Sequence, residues 1–190
     1  EIEAFYLGDI SSAKKHLNNA IQIPRLKEKQ KGNAKLKLAN ILVLEDKIWE
    51  ASLMYLQIEK QFKDDQLGHL AKFKNAQVYY FSGEYDWCQA QLKVLKASTS
   101  KLIANDALEL SVLISDNYNM DTSEVAMKLF SYADMLSYQQ QFSKANILYD
   151  SVLNNFKNHS LNDEIIFRKA KIDLKKHNYL KAVDYFKLLV

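Results

Sequence analysis

The stretch that decides the fold runs from Ala76 to Leu92 and reads AQVYYFSGEYDWCQAQL. Two small residues, Ala76 and Cys88, stand twelve positions apart, and Gly83 lies between them with an acidic neighbour. Glycine enters the left-handed backbone region at little cost, so Gly83 predicts the end of one helix and the turn into the next. Small residues at matched places let two helices approach closely. The stretch therefore predicts an antiparallel pair of helices.

The same sequence motif recurs along the chain, and we call it the repeat phrase. A turn is followed by an apolar residue, then by a small residue three positions later, and then by a large apolar residue four positions after that. The small residues are Ala13, Ala51, Cys88, Ala145 and Ala182. Twelve positions upstream of the last four stand Ala39, Ala76, Ala133 and Ala170. The turns are placed at Gly8, Asp46, Gly83, Gln140 and His177. We therefore expect repeated helix pairs, with one additional helix between Cys88 and Ala145.

Composition agrees with an all-α chain. The 190 residues include four Gly and one Pro, Pro24, whereas average usage would give about 13 and about 9. This scarcity excludes a loop-rich β-sandwich or barrel. Apolar periodicity predicts helices at 1–7, 10–22, 32–45, 48–62, 67–82, 85–97, 101–117, 122–138, 142–156, 161–176 and 179–190. Two helix-starting caps are also predicted, one at 121–124 and one formed by Ser160 with Asp163.

The spacing of small residues around a Gly-acidic-Tyr turn resembles the tetratricopeptide repeat. The residues that carry the likeness are Tyr79, Gly83, Tyr85, Cys88 and Leu95, and, in the preceding unit, Leu38, Ala39, Leu42, Ala51, Tyr55 and Ile58. The resemblance implies a right-handed α-α superhelix in one array over 1–190. Its repeats would lie at about 1–24, 32–63, 69–98, 126–157 and 163–190, with an extra helix at about 101–117. Because the chain starts at Glu1, we expect a fragment of a longer array.

The resemblance also implies a function, because the first helix of each pair in this family lines a concave groove. The chain would be a non-enzymatic scaffold that presents this groove to a protein or peptide partner. The positions that resemble ligand-facing ones are Asn40, Phe73, Gln77, Tyr80, Phe81, Phe130, Asp134, Phe167 and Lys171. The three phenylalanines occupy equivalent positions, and they either form an apolar strip for a partner or pack the helices together. Leu36 stands where the family's clamp for a terminal carboxylate needs a lysine, so that ligand is not expected.

Repeats of 37–38 residues resemble those of bacterial cell-envelope tetratricopeptide proteins, including outer-membrane assembly lipoproteins. This likeness implies a role in envelope assembly, at a periplasmic or outer-membrane-associated location. The alternative is a regulatory array fused to a signalling or DNA-binding module outside this chain.

Residues suited to chemistry are scattered, so no catalytic site, metal or cofactor is predicted. None of the four histidines, His16, His69, His159 and His177, stands at helical ligand spacing from another histidine or from Cys88. Cys88 fills a place that alanine fills elsewhere, which favours packing over a reactive thiol. The Ser98 to Lys101 spacing is interpreted as a loop and helix cap rather than a nucleophile. A Gly-rich phosphate loop is missing from the sequence.

Charge is nearly balanced, with a formal net charge of +3. Arg25 and Arg168 are the only arginines, and this disfavours sequence-specific nucleic-acid binding, which relies on the arginine fork. Two local basic clusters, at 25–37 and 168–176, are either solvated faces or sites for an acidic partner. The apolar runs are far shorter than the ~20 residues that a membrane-spanning helix needs.

Overall fold

The structure is a computed structural model, and it describes residues 2–97, 100–118 and 124–189. Over these residues the chain is helical and contains no strand, which confirms the all-α prediction. A π-helical segment, Ile2–Tyr6, precedes ten α-helices. These are α1 (Ile10–Ile21), α2 (Glu28–Leu44), α3 (Ile48–Gln61), α4 (Gln66–Phe81), α5 (Tyr85–Leu95), α6 (Lys101–Tyr118), α7 (Val125–Tyr138), α8 (Phe142–Asn155), α9 (Leu161–Lys175) and α10 (Tyr179–Lys187).

Helix boundaries follow the predicted ones closely, with one clear exception. Helix α2 begins at Glu28, four residues before the predicted start. The extra turn is held by Gln30, whose Oε1 accepts a 3.2 Å hydrogen bond from the backbone N–H of Lys27. This is the reciprocal arm of a capping box, a device that satisfies free N–H groups at a helix start. The sequence pattern missed it because a lysine stands at the cap position.

The predicted cap at Ser160 is wrong. The Ser160 hydroxyl donates to Oδ1 of Asn117 at 2.6 Å, and it makes no hydrogen bond to the start of α9. Instead, Nδ1 of His159 accepts from the backbone N–H of Leu161 at 3.1 Å. The tertiary hydrogen bond with Asn117 thus replaces the N-cap hydrogen bond that the position of Ser160 before α9 predicts. The other predicted cap, at 121–124, involves residues that lie outside the described part of the chain.

The five predicted turns are confirmed by their backbone conformation. Gly8 and Gly83 have φ of 69° and 80°, and Asp46, Gln140 and His177 have φ of 65°, 61° and 60°. The Asp46 turn shows how such a helix end is closed: the N–H of Lys47 donates to the carbonyl of Leu42 at 2.9 Å, and that of Asp46 to Val43 at 3.2 Å. The turns at Gln140 and His177 repeat this pair of bonds. It is the Schellman arrangement, in which a left-handed residue satisfies the last carbonyls of a helix.

By its internal contacts, the chain divides into two compact units. The first unit comprises Glu1–Tyr79 and Asp86–Ser111, and the second comprises Tyr80–Tyr85 and Val112–Val190. In the first unit α2 packs against both α1 and α3, and the π-helical segment packs on α1. The small residues of its repeat phrase are all buried, namely Ala13, Ala39, Ala51, Ala76 and Cys88.

Polar contacts connect further helices of the first unit. The hydroxyl of Ser52 in α3 donates to Asn75 in α4 at 2.7 Å. Gln89 in α5 exchanges two hydrogen bonds with Ser111 in α6, at 2.6 and 2.9 Å. Helix α6 is the additional helix that the sequence predicts at 101–117, and this contact places its Ser111 against α5.

Glycine has a packing role at the start of α4. A Cβ on Gly68 would lie 2.0 Å from the carbonyl oxygen of Phe62, and one on Gly32 would lie 2.5 Å from the Phe62 ring. No side chain can approach a backbone atom to 2.0 Å, so Gly68 allows a close passage of the chain. This role was not predicted, because among the four glycines only Gly8 and Gly83 stand at turns of the repeat.

In the second unit adjacent helices again pack in pairs, α7 with α8 and α9 with α10, and α9 also contacts α7 and α8. The small residues Ala133, Ala145, Ala170 and Ala182 are completely buried. Adjacent helix pairing is therefore confirmed in both units, and the single continuous array over 1–190 stays a prediction. No helix in the described ranges is both long and apolar enough to cross a bilayer.

Candidate functional site

Within the second unit, polar side chains from the C-terminal end of α4 and from α7, α8 and α9 meet at Asp134. This residue follows Ala133, the small residue of α7, so it lies where α7 comes closest to its neighbours. Tyr80 at the end of α4, Tyr149 in α8 and Arg168 in α9 all point their polar atoms at its carboxylate. We call these four residues the Asp134 cluster.

Both oxygens of Asp134 are occupied. The hydroxyl of Tyr80 donates to Oδ2 at 2.8 Å, and the hydroxyl of Tyr149 donates to Oδ1 at 2.5 Å. Arg168 donates from Nε to Oδ1 at 3.1 Å, with Oδ2 at 3.4 Å. The guanidinium also lies 3.6 Å from the carboxylate of Glu164 through Nη1. The Arg168 and Asp134 side chains are only 20% and 12% exposed, so this is a buried ion pair rather than a surface one.

Burial decides the protonation of the cluster. It raises the pKa of Tyr80 far above its usual value, and the charge of Asp134 raises it further. The same two causes, in the same order, raise the pKa of Tyr149. Burial is the largest single effect on Arg168 and would favour its neutral form, but the charge of Asp134 and smaller contributions from Tyr80, Glu164 and Tyr149 together outweigh burial and raise the pKa of the guanidinium. Near neutral pH the phenols are therefore neutral donors and the arginine is a cation. Neither phenol can serve as a base there.

Aromatic rings surround the buried guanidinium. Its carbon lies 5.8 Å from the centre of the Phe130 ring and 6.0 Å from that of Phe167. Phe130 is fully buried and also packs on Tyr149, with ring centres 5.7 Å apart. A cation within about 6 Å of an aromatic face is attracted to it. The rings thus help to hold the charge that Asp134 neutralises.

The first unit contains a simpler counterpart of this arrangement. Tyr55 in α3 donates from its hydroxyl to Oδ1 of Asn40 in α2 at 2.7 Å. Asn40 follows Ala39 as Asp134 follows Ala133, and fifteen residues separate donor from acceptor in both pairs. The two hydrogen bonds therefore occupy the same place in the repeat. Asn40 is neutral, whereas Asp134 is paired with a buried arginine.

The predicted site residues separate into buried and accessible groups. Phe73 and Phe130 are 6% and 0% exposed, so a partner could not reach their rings in this conformation. Their burial favours the packing alternative for these two rings. Tyr80, another member of the predicted set, is also buried, at 2%. Asn40 is engaged by Tyr55, and Gln77 accepts a 2.9 Å hydrogen bond from Lys74.

The more accessible members of the predicted set are residues of the second unit. Phe81 at the end of α4 contacts Tyr138 at the end of α7, with ring centres 6.1 Å apart. These two residues are equivalent, each standing five positions after the small residue of its helix. On α9, Lys171 is exposed and its ammonium group lies 4.3 Å from the centre of the half-buried Phe167 ring.

No protein-family model, curated protein or solved structure matches the chain. The resemblance to tetratricopeptide repeats thus stays an expectation, and the candidate site is defined by the contacts of this chain alone. Within the described ranges there is no group of three or more His, Cys, Asp or Glu side chains placed to hold a metal ion. Cys88 is a buried thiol in the first unit.

Two members of the Asp134 cluster were missed by the sequence analysis. Tyr149 was recognised only as the large apolar residue of its repeat phrase, and Arg168 only as part of a basic cluster. For each of these two residues the sequence contains a feature that could have indicated its buried polar contact. Tyr149 carries a hydroxyl where Leu92 and Phe186 carry none, and a buried hydroxyl needs a partner. Arg168 is one of two arginines among 26 basic residues, and arginine is the side chain preferred for buried ion pairs.

Proposed function

We propose that the chain is a non-enzymatic binding scaffold of the tetratricopeptide kind, in which the helix pairs follow a right-handed superhelix. Its first helices present a groove to a protein or peptide partner. The contact of Phe81 with Tyr138 carries this proposal. Side chains at equivalent positions of successive first helices touch, which is the geometry expected where such helices line one surface.

The Asp134 cluster supports the proposal in a second way. Its carboxylate accepts from three side chains, and its phenols are neutral donors engaged with that carboxylate. These interactions connect the C-terminal end of α4 with α7, α8 and α9 within the second unit, so they fix the helices whose edge residues would form the surface. A role in envelope assembly remains an expectation from the likeness of the repeats.

Selection of peptides from an unbiased displayed library on the folded chain tests the function. We expect an enriched family of sequences whose binding is lost in the Phe81→Ala, Tyr138→Ala double variant. The matched control is Trp87→Ala, because Trp87 is an aromatic residue of a second helix and is 64% exposed. Helical circular dichroism verifies that each variant is folded. Failure to enrich any sequence, or equal loss in the control, would contradict the proposal.

A further inference from the structure

Two lysines one turn apart on α9 form a cationic surface in the second unit. Lys171 and Lys175 are both exposed, and among the described residues neither has a carboxylate within ion-pair distance. Two other basic residues of the 168–176 cluster differ from them, whereas Lys176, directly after α9, is exposed as they are. Arg168 is engaged by Asp134, and Lys169 forms an ion pair with Asp150.

Aromatic rings lie beside both lysines. The ammonium group of Lys171 is 4.3 Å from the centre of the Phe167 ring, and that of Lys175 is 6.0 Å from the centre of Phe142. Between them on the same helix, Leu174 is 41% exposed. The surface therefore combines two positive charges with apolar area, a combination suited to a peptide better than to a small hydrated ion.

The two charges act against each other. Partial burial lowers the pKa of Lys175, and the nearby charge of Lys171 lowers it further. Asp134 is the acidic group whose field opposes this effect, but its oxygens are already occupied by Tyr80, Tyr149 and Arg168. An added anion would thus relieve a repulsion that the chain itself leaves in place.

The spacing of Lys171 and Lys175 indicates which kind of anionic ligand fits the surface. Residues four apart on a helix face have Cβ atoms about 5–6 Å apart. Alternate residues of an extended chain lie about 6.6 Å apart on one side. Two carboxylates separated by one residue can therefore meet the two ammonium groups together, while the rest of the segment contacts Phe167 and Leu174.

Building on the proposed scaffold function, we propose that Lys171 and Lys175 bind an extended acidic segment of a protein partner, through two side-chain carboxylates separated by one residue. A terminal carboxylate has no part in this recognition. The lysines set the preference for acidic residues, and the adjoining aromatic rings contribute apolar contact.

Fluorescence anisotropy with a short labelled peptide tests this. The peptide has glutamate at alternate positions, is acetylated and amidated so that it lacks terminal charges, and is compared with a version in which glutamine replaces glutamate. We expect the glutamine version to bind at least about tenfold more weakly, because charge-assisted hydrogen bonds are the strong ones. Binding of the glutamate version should weaken towards about 1 M salt, where the screening length is about 3 Å.

Variants locate the site. The Lys171→Gln, Lys175→Gln double variant should lose about tenfold in affinity for the glutamate peptide. The Lys157→Gln, Lys181→Gln variant should not, although it removes the same charge from exposed positions of the same unit. Replacing Lys171 and Lys175 by Glu should create binding to a peptide with lysine in place of glutamate.

Equal binding of the glutamate and glutamine peptides, or equal loss in the two lysine variants, would overturn the inference. Displacement by inorganic phosphate as potent as by unlabelled peptide would also overturn it, because the site would then recognise an anion alone. The scaffold function fails separately. If the library selection enriches peptides that ignore Lys171 and Lys175, the scaffold stands and the acidic segment does not. If no peptide binds at all, both proposals fail.

Discussion

The hydroxyl of Tyr149 in α8 donates a 2.5 Å hydrogen bond to Oδ1 of Asp134 in α7, fifteen residues earlier in the chain. Tyr55 and Asn40 make the equivalent bond in the first unit. The repeat therefore conserves a polar contact in these two helix pairs as well as the spacing of its small residues. The carboxylate differs from the amide because it also neutralises Arg168.

Replacing Asp134 by Asn should destabilise the chain by about 3 kcal/mol, because it breaks a buried ion pair and leaves Arg168 with only the more exposed Glu164, 3.6 Å away, as a counter-charge. The amide keeps one acceptor oxygen but turns an NH2 group towards a donor. Urea unfolding followed by circular dichroism measures the change. A midpoint equal to that of the native chain would show that Arg168 finds another counter-charge.

The two tyrosines offer a matched comparison. Tyr55→Phe and Tyr149→Phe each remove one hydroxyl and leave the ring in place. We expect losses of about 1 kcal/mol for Tyr55, where the acceptor is neutral, and about 2 kcal/mol for Tyr149, where it is charged. The same urea experiment gives both numbers. The opposite order would mean that the remaining donors of Asp134 compensate for the missing one.

The left-handed turns predict a gain in stability. Asp46, Gln140 and His177 adopt positive φ, which costs residues other than glycine about 1 kcal/mol. Each change to glycine should therefore stabilise the chain by about 0.5 kcal/mol after the greater freedom of glycine in the unfolded state is subtracted. Gly8→Ala is the reverse control, since a Cβ there would meet nothing within 4 Å and only the backbone conformation opposes it. We expect it to destabilise by about 1 kcal/mol, and thermal unfolding measures all four variants.

The glycines inside helices should respond differently from one another. Gly68→Ala places a Cβ against the backbone oxygen of Phe62, which cannot move without moving the chain, so we expect a loss of about 3 kcal/mol. Gly32→Ala meets the side chains of Phe62 and Leu67, which can rotate. Its loss should be about 1 kcal/mol. Equal urea midpoints for the two variants would contradict this distinction between backbone and side-chain contacts.

The stability of the folded chain should depend on pH in the acid range, because Glu45 forms an ion pair with Lys14. Its hydrogen bond with Lys14, 2.7 Å long, lowers the pKa of the carboxyl below the ordinary value of 4.5. A lowered pKa means that the stabilisation is complete above 4.5 and disappears as the pH falls through the folded-state value. The difference in urea midpoint between native chain and Glu45→Gln should therefore shrink below pH 4.5. A difference that does not change with pH would show that the ion pair contributes nothing.

Local spacing was enough to predict the helices and their turns. Ala51 and Cys88 marked buried crossings, and Asp46 marked a left-handed turn without being glycine, because both properties depend on neighbours in sequence. The candidate site could be predicted from the sequence only in part. Equivalence along the helix placed Phe130 and Phe167 together, but only tertiary packing buries the first completely and leaves the second beside Lys171.

Long-range partners account for what the sequence did not foresee. Ser160 looks like a cap until Asn117, 43 residues earlier, accepts its hydrogen bond. Arg168 looks like one more basic surface residue until Asp134, 34 residues earlier, is found against it. Both contacts join residues that are far apart in the sequence, so the spacing of residues within one helix or turn could not predict them.

The Asp134 cluster has a consequence for how similar units find their proper neighbours during folding. A chain of near-alike helix pairs risks docking in the wrong order, because each pair offers much the same apolar surface to the next. If α9 docked on a first helix other than α7, Arg168 would meet Asn40 or Gln77, the residues equivalent to Asp134, in place of a carboxylate, and a buried guanidinium without its counter-charge costs several kcal/mol. The pairing of Arg168 with Asp134 thus distinguishes this helix junction from those with a neutral residue at the equivalent position, and it penalises shuffled arrangements.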